Sequence, residues 1–149
     1  MNLSEHFTLE EMERSDLALR KGIDNSAPPE VIPQLIRLCT TLLEPIRTLL
    51  GVHLHTNSGY RCKLLNTLVG STAAHSAHLD GRADDLIPIG MDLRAAFDKI
   101  RLSELPYDRL IIECGAWLHC AIAVEGVPPL RKAEYATGTP GHWVYTLVP

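Results

Sequence analysis

The sequence predicts an α+β fold in which helices pack on a small, mainly antiparallel sheet. Three observations carry that expectation. Across residues 30–50 apolar side chains recur at intervals of three and four, from Ile32 and Leu35 to Leu49 and Leu50, which is helical spacing. Several other stretches alternate with the period of two that marks a half-buried strand. Two of these, 110–113 and 117–124, are separated by three residues that include Gly115, the length of a hairpin turn. No repeat, low-complexity tract or linker divides the 149 residues, so residues 1–149 are read as one domain.

The elements follow in order. Thr8 is placed to cap a first helix, with Glu11 three residues on to close a capping box, and that helix ends before the turn at Gly22. Residues 24–29 read as a loop, with Pro28 or Pro29 set for the first turn of the long helix over 30–50. Pro45 lies inside that helix and removes a backbone donor, which predicts a kink or break; Gly51 is placed to end it. Residues 52–57 predict a strand on which His53 and His55 share a face, an arrangement that either a metal or plain exposure explains. After the turn Ser58-Gly59-Tyr60-Arg61 comes a short helix over 63–69, closed by Gly70, and then a polar loop over 71–76. Residues 86–89 predict a short strand. Asp92 can cap a helix that turns Leu93, Ala96, Phe97 and Ile100 inward. Beyond the hairpin, residues 125–141, rich in Gly, Pro and charge, read as a loop, and 142–148 as a last strand.

The bulk properties exclude some partners. A net charge of -4 and a pI near 5.9 leave no basic stripe to neutralise phosphates, so no nucleic-acid partner is expected. The first residues lack an apolar signal core and no run of about 18 apolar residues exists, so neither export nor membrane insertion is expected. A cytoplasmic, monomeric protein is the default. Cys39, Cys62, Cys114 and Cys120 lack C-x-x-C spacing and read as small buried hydrophobes.

The chemistry concentrates in residues 76–85, Ser-Ala-His-Leu-Asp-Gly-Arg-Ala-Asp-Asp. Gly81 permits an unusual dihedral and Ala83 is small, so the chain can double back and bring His78 and an acid onto one ion. Spacing alone leaves Asp84 beside Asp85, His75 beside His78, and an ordinary surface turn beside a metal site. The hairpin adds a second contribution. With Cys114 to Ala116 as the turn, Glu113 lies opposite Trp117 and Ile111 opposite His119, so Glu113, Trp117 and His119 share a face. Two imidazoles, one carboxylate and an open fourth position are the pattern of a catalytic zinc site. A carboxylate beside the ion but not on it, here Glu113, is what a general base requires. Trp117 reads as a packing residue. Arg61 suits either a bidentate grip on a carboxylate or a surface salt bridge.

The pattern S-x-H-x-x-G-x-A-x-D, matched by Ser76, His78, Gly81, Ala83 and Asp85, and the later Trp117 and His119 resemble the M15 peptidases. These are zinc D-Ala-D-Ala carboxypeptidases and related L,D- or D,D-peptidases, many of them phage endolysins or cell-wall enzymes. Ser58-Gly59-Tyr60-Arg61 is similar to the family's S-G-[YF]-R, and Phe7-Thr8-Leu9-Glu10-Glu11 and Pro45-Ile46-Arg47 look like its short phage-associated branch. The resemblance implies one Zn²⁺ per chain on His78, Asp85 and His119, which selects Asp85 over Asp84 and His78 over His75. It implies substrate contacts at Arg61 and Ser76, and peptidoglycan stem peptides or cross-links as substrate, reached after release or as part of a virion. One departure stands out: where several members carry the catalytic acid, three residues before the last histidine, this chain has Ala116. Glu113, as in the phage-like branch, takes that place. A wall-binding or virion-structural module that keeps the fold without hydrolysis is the alternative the departure leaves.

Overall fold

Six strands form one sheet in the order β1-β2-β4-β3-β5-β6 in the computed structural model, which describes residues 1–71 and 75–149. The strands are β1 (Leu54–Ser58), β2 (Ala83–Pro88), β3 (Arg109–Glu113), β4 (Trp117–Ala121), β5 (Lys132–Thr139) and β6 (His142–Leu147). All neighbours are antiparallel except β3 and β5, which run parallel. The fold is α+β with a mainly antiparallel sheet, as expected. Helices cover one face. Leu54, Leu86, Leu110, Ile112, Leu118 and Cys120 point from that face into a core shared with Leu38, Leu42, Ile46, Phe97 and Ile100. Among the described residues no helix is long and apolar enough to cross a membrane.

Helix ends follow their local chemistry. α1 (Leu9–Glu13) starts at the Thr8–Glu11 capping box, and Asp92 caps α6 (Leu93–Arg101) through the Ala95 amide. The single first helix expected up to Gly22 is in fact two. Ser15 caps a separate α2 (Asp16–Lys21), because its hydroxyl offers the Ala18 amide a better partner than continued helix does.

The long helix divides into α3 (Ile32–Leu38), a π-helical turn (Cys39–Leu43) and α4 (Glu44–Leu50). The defect expected at Pro45 is thus absorbed one turn earlier, where the backbone widens and Thr40 and Thr41 bond back to the Ile36 and Arg37 carbonyls. Pro33, rather than Pro28 or Pro29, occupies the first turn of α3. α5 (Lys63–Leu68) ends ahead of Gly70. Of the expected loop over 71–76, residues 72–74 lie outside the described residues.

Two strand expectations are corrected. β2 begins at Ala83, so the acid pair lies within a central strand and not in the turn before it. The stretch 125–141 is not all loop: residues 132–139 form β5, paired on both sides. Its Gly and charges hide a strand that only its neighbours complete. Ala133, Glu134 and Ala136 are buried between β3 and β6, while Thr137, Gly138 and Thr139 form an exposed tip. The cysteines split as well. Cys39 and Cys120 are buried, Cys62 is half-buried and Cys114 is exposed in the β3–β4 turn, where its backbone adopts φ 50°.

Candidate active site

The sheet face away from the core forms the floor of a cleft of about 630 Å³. Strand alternation decides which side chains reach it. On β2, Asp84 turns to the core and Asp85 to the cleft, and on β4 His119 faces Asp85 directly in the pairing register while Cys120 faces Asp84. The hairpin register is the one expected, with Glu113 opposite Trp117 and Ile111 opposite His119. A bulge in β1 places Ser58 opposite Asp85 and turns it to the cleft face.

Three donors converge. His119 Nδ1 is 3.0 Å from Asp85 Oδ1 and 3.2 Å from His78 Nε2, and His78 Nε2 is 3.3 Å from Asp85 Oδ1. All three residues are buried. A tetrahedral zinc ion with bonds of about 2.0 Å would set its donors about 3.3 Å apart, so these atoms stand close to three corners of that figure. The tautomer agrees. Gly59 O lies 2.7 Å from His78 Nδ1 and can only accept, so Nδ1 carries the hydrogen and Nε2 keeps its lone pair for the site. Burial, helped by the Arg61 charge, pushes His78 below its ordinary value and keeps the imidazole neutral. Burial alone would raise Asp85, but His78, the His119 bond and the Arg61 guanidinium outweigh it and hold the carboxyl well below the usual range. Two imidazole nitrogens and a carboxylate oxygen are donors of the kind Zn²⁺ takes.

The surrounding residues hold these donors in place. Arg61 pairs with Asp85 Oδ2, donates from Nε to Ser58 Oγ at 2.7 Å, and is largely buried, so it is not a surface salt bridge. The turn carrying it is tied to the motif, since the Arg61 amide donates to the His78 carbonyl at 3.2 Å. Asn25 braces the same turn, donating to the Tyr60 carbonyl and accepting from the Cys62 amide. Gly59 sits where a Cβ would come within 2.7 Å of the Met12 carbonyl oxygen, so no larger residue fits without displacing α1.

Glu113 stands beside the donors. Its Oε1 is 4.0 Å from His119 Nδ1, and its Oε2 accepts from Trp117 Nε1 at 3.0 Å. Burial and the Asp85 charge push its carboxyl up from the ordinary value, against the pull of His119, Trp117 and Arg61. Trp117 is therefore more than a packing residue: its indole orients the acid. Ala116, in the turn, contributes nothing to the site.

The other candidates fall as follows. Ser76, His75 and His55 line the cleft without joining the donor cluster, and His53 lies outside β1, 3.2 Å from Arg47. Asp84 is fully buried on the core face, where Thr56 Oγ1 donates to it at 3.2 Å and burial raises its carboxyl well above the usual range. Sequence reasoning placed Ser58 and Gly59 in the motif around Arg61 without giving either a part in the site, and it missed Asn25, whose role appears only in the folded turn.

The family model described as Peptidase M15 matches residues 5–121, more than half of the chain. The chain belongs to the Peptidase M15 family. That membership supports a peptidase, and the His78, Asp85 and His119 cluster is compatible with the zinc typical of M15 enzymes. Among curated proteins none matches the chain. The M15 match covers every residue of the donor cluster and Glu113, and stops before β5 and β6.

Proposed function

We propose that this M15 protein is a zinc-dependent peptidase that hydrolyses peptide bonds in bacterial peptidoglycan stem peptides or cross-links. The observation that carries the reading is the convergence of His78 Nε2, Asp85 Oδ1 and His119 Nδ1 beside an independently oriented acid, Glu113, on the floor of an open cleft. His78, Asp85 and His119 would hold the ion. When bound, zinc supplies Lewis acidity that polarises a carbonyl and makes water ionise near neutral pH.

The chain's own residues do the rest. Glu113, with Oε2 fixed by Trp117, keeps Oε1 toward the donors, where it can accept a proton from water and return it to the leaving amine. Its raised carboxyl suits that transfer, because a carboxylate whose acid ionises nearer neutrality is a stronger base than an ordinary glutamate. Arg61 keeps Asp85 ionised and in place, and with Ser76 it borders the space where a substrate carbonyl or carboxylate would lie. The substrate, an origin in the phage-associated branch, a monomeric state and action on the wall after release all belong to this proposal.

The test is zinc analysis of protein purified without an affinity metal column, followed by digestion of purified peptidoglycan with mass spectrometry of the fragments. About one zinc per chain, lost in His119→Ala, together with new peptide termini, is the expected result. Zinc without cleavage would leave a wall-binding or virion-structural module, and no zinc even after supplementation would remove the hydrolase reading.

A further inference from the structure

The cleft does not end where the family match ends. The β5–β6 hairpin carries Pro140, Trp143 and Tyr145 onto its wall. Pairing registers place Trp117, Glu113, Ala136 and Tyr145 in one row across β4, β3, β5 and β6. Adjacent strands lie about 4.8 Å apart, so Tyr145 stands two strands from the acid with only the buried methyl of Ala136 between them. A larger residue at 136 would separate the two; the methyl leaves a low floor.

Tyr145 is held rather than loose. The Arg109 guanidinium lies 5.0 Å from its ring centroid, and Arg109 is itself bound through Nε to the buried Glu134 at 3.0 Å. Lys132 Nζ, 3.1 Å from Glu134, completes that cluster. The hairpin tip is seated on the far wall of the cleft, where Pro140 packs so closely on Gly70 that a Cβ there would come within 2.6 Å of the Pro140 side chain. Burial, and next the Glu113 charge, push the phenol up, which fits its nearness to the acid, and no hydrogen bond from a described residue contributes. A half-exposed phenol backed by Arg109, without a hydrogen-bond partner among the described residues, lines the cleft in the same row as the acid and two strands away, where it can contact something that enters.

We propose that Tyr145 is a substrate-contact residue whose hydroxyl hydrogen-bonds the backbone of a peptide lying across the sheet, on the β5–β6 side of Glu113. The inference rests on the peptidase reading above and extends it to a residue outside the family-matched segment. The occupant is an extended peptide chain, because the row of side chains from Trp117 to Tyr145 runs across four strands and the cleft is lined by both polar and aromatic groups.

The test uses a peptidoglycan fragment that the wild-type protein cleaves. Its affinity is measured calorimetrically for Glu113→Gln, with and without Tyr145→Phe, and kcat/KM and zinc content are measured for Tyr145→Phe and Tyr145→Leu in the otherwise unaltered chain. A hydroxyl contact predicts binding and kcat/KM about three- to tenfold weaker in Tyr145→Phe, with zinc content unchanged. Wild-type binding and turnover in Tyr145→Phe, with loss only in Tyr145→Leu, would mean that the ring merely braces Arg109 and would overturn this inference alone. If no peptidoglycan fragment is cleaved by the wild type, the peptidase reading falls and the role of Tyr145 falls with it.

Discussion

Asp84 and Asp85 are neighbours on β2 and face opposite sides of the sheet. Asp85 meets His78, His119 and Arg61, while Asp84 meets Thr56 and the core. Their carboxyls diverge accordingly: His78, the His119 bond and Arg61 hold Asp85 well below the usual carboxylate range, and burial and the Asp85 charge push Asp84 well above it. Asp85→Asn should therefore lose zinc, whereas Asp84→Asn, a change of similar shape on the core face away from the donors, should keep it. Elemental analysis of the two variants decides this; zinc loss in Asp84→Asn alone would reverse the assignment.

Arg61 bears on the donor cluster through Asp85. Arg61→Gln removes the charge that pairs with Oδ2 and the donor to Ser58, so zinc affinity should fall roughly 10- to 100-fold with little change in folding. Competition with a chelator measures the affinity and circular dichroism checks the fold. Unchanged affinity would confine Arg61 to the substrate.

Glu113 and Trp117 should separate chemistry from metal binding. Glu113→Gln keeps the shape and the Trp117 contact but cannot take a proton, so turnover should drop by about 10²- to 10⁴-fold at full zinc content. Trp117→Phe leaves Oε2 without its indole donor and should cost about tenfold or less. Near-normal turnover of Glu113→Gln would remove that residue from the reaction.

Gly81 is the pivot between His78 and β2. Its φ of 68° and the approach of an added Cβ to Val31 Cγ1 at 2.7 Å and Leu35 Cγ at 3.0 Å make Gly81→Ala doubly unfavourable. A loss of about 1–3 kcal/mol in denaturant unfolding is expected, because the turn must strain or the Val31 and Leu35 side chains must shift. A stability equal to wild type would mean that the turn has another conformation.

Glu134 supplies a pH dependence of stability at a distance from the donor cluster. Burial would raise its carboxyl, but Arg109 and Lys132 outweigh burial and lower it. With the folded value below the unfolded one, the stabilisation is fully present above the unfolded value of about 4.3 and is lost as pH falls through the folded value. Thermal unfolding of wild type and Glu134→Gln should thus differ most near neutral pH and converge in acid. A gap that persists or widens in acid would contradict the assignment.

Much of the site was legible in the chain because it is encoded over short distances. The Thr8 and Asp92 caps, the period of two in β3 and β4, and the three-residue turn between them depend on a few adjacent residues, and they suffice to bring Glu113, Trp117 and His119 to one face. The spacing of the 76–85 motif left a surface turn beside a metal site, and the resemblance to M15 peptidases, not spacing, selected His78 and Asp85. What depends on distant segments was not legible. The partner of Arg61, the bulge that turns Ser58 to Asp85, the brace from Asn25, the parallel pairing that makes a strand of 132–139, and the nearness of Tyr145 to Glu113 follow from which surfaces are buried against each other. Local hydrogen bonding and periodicity set which face a residue takes along its own strand. Only the pairing of strands far apart in sequence decides what it meets there.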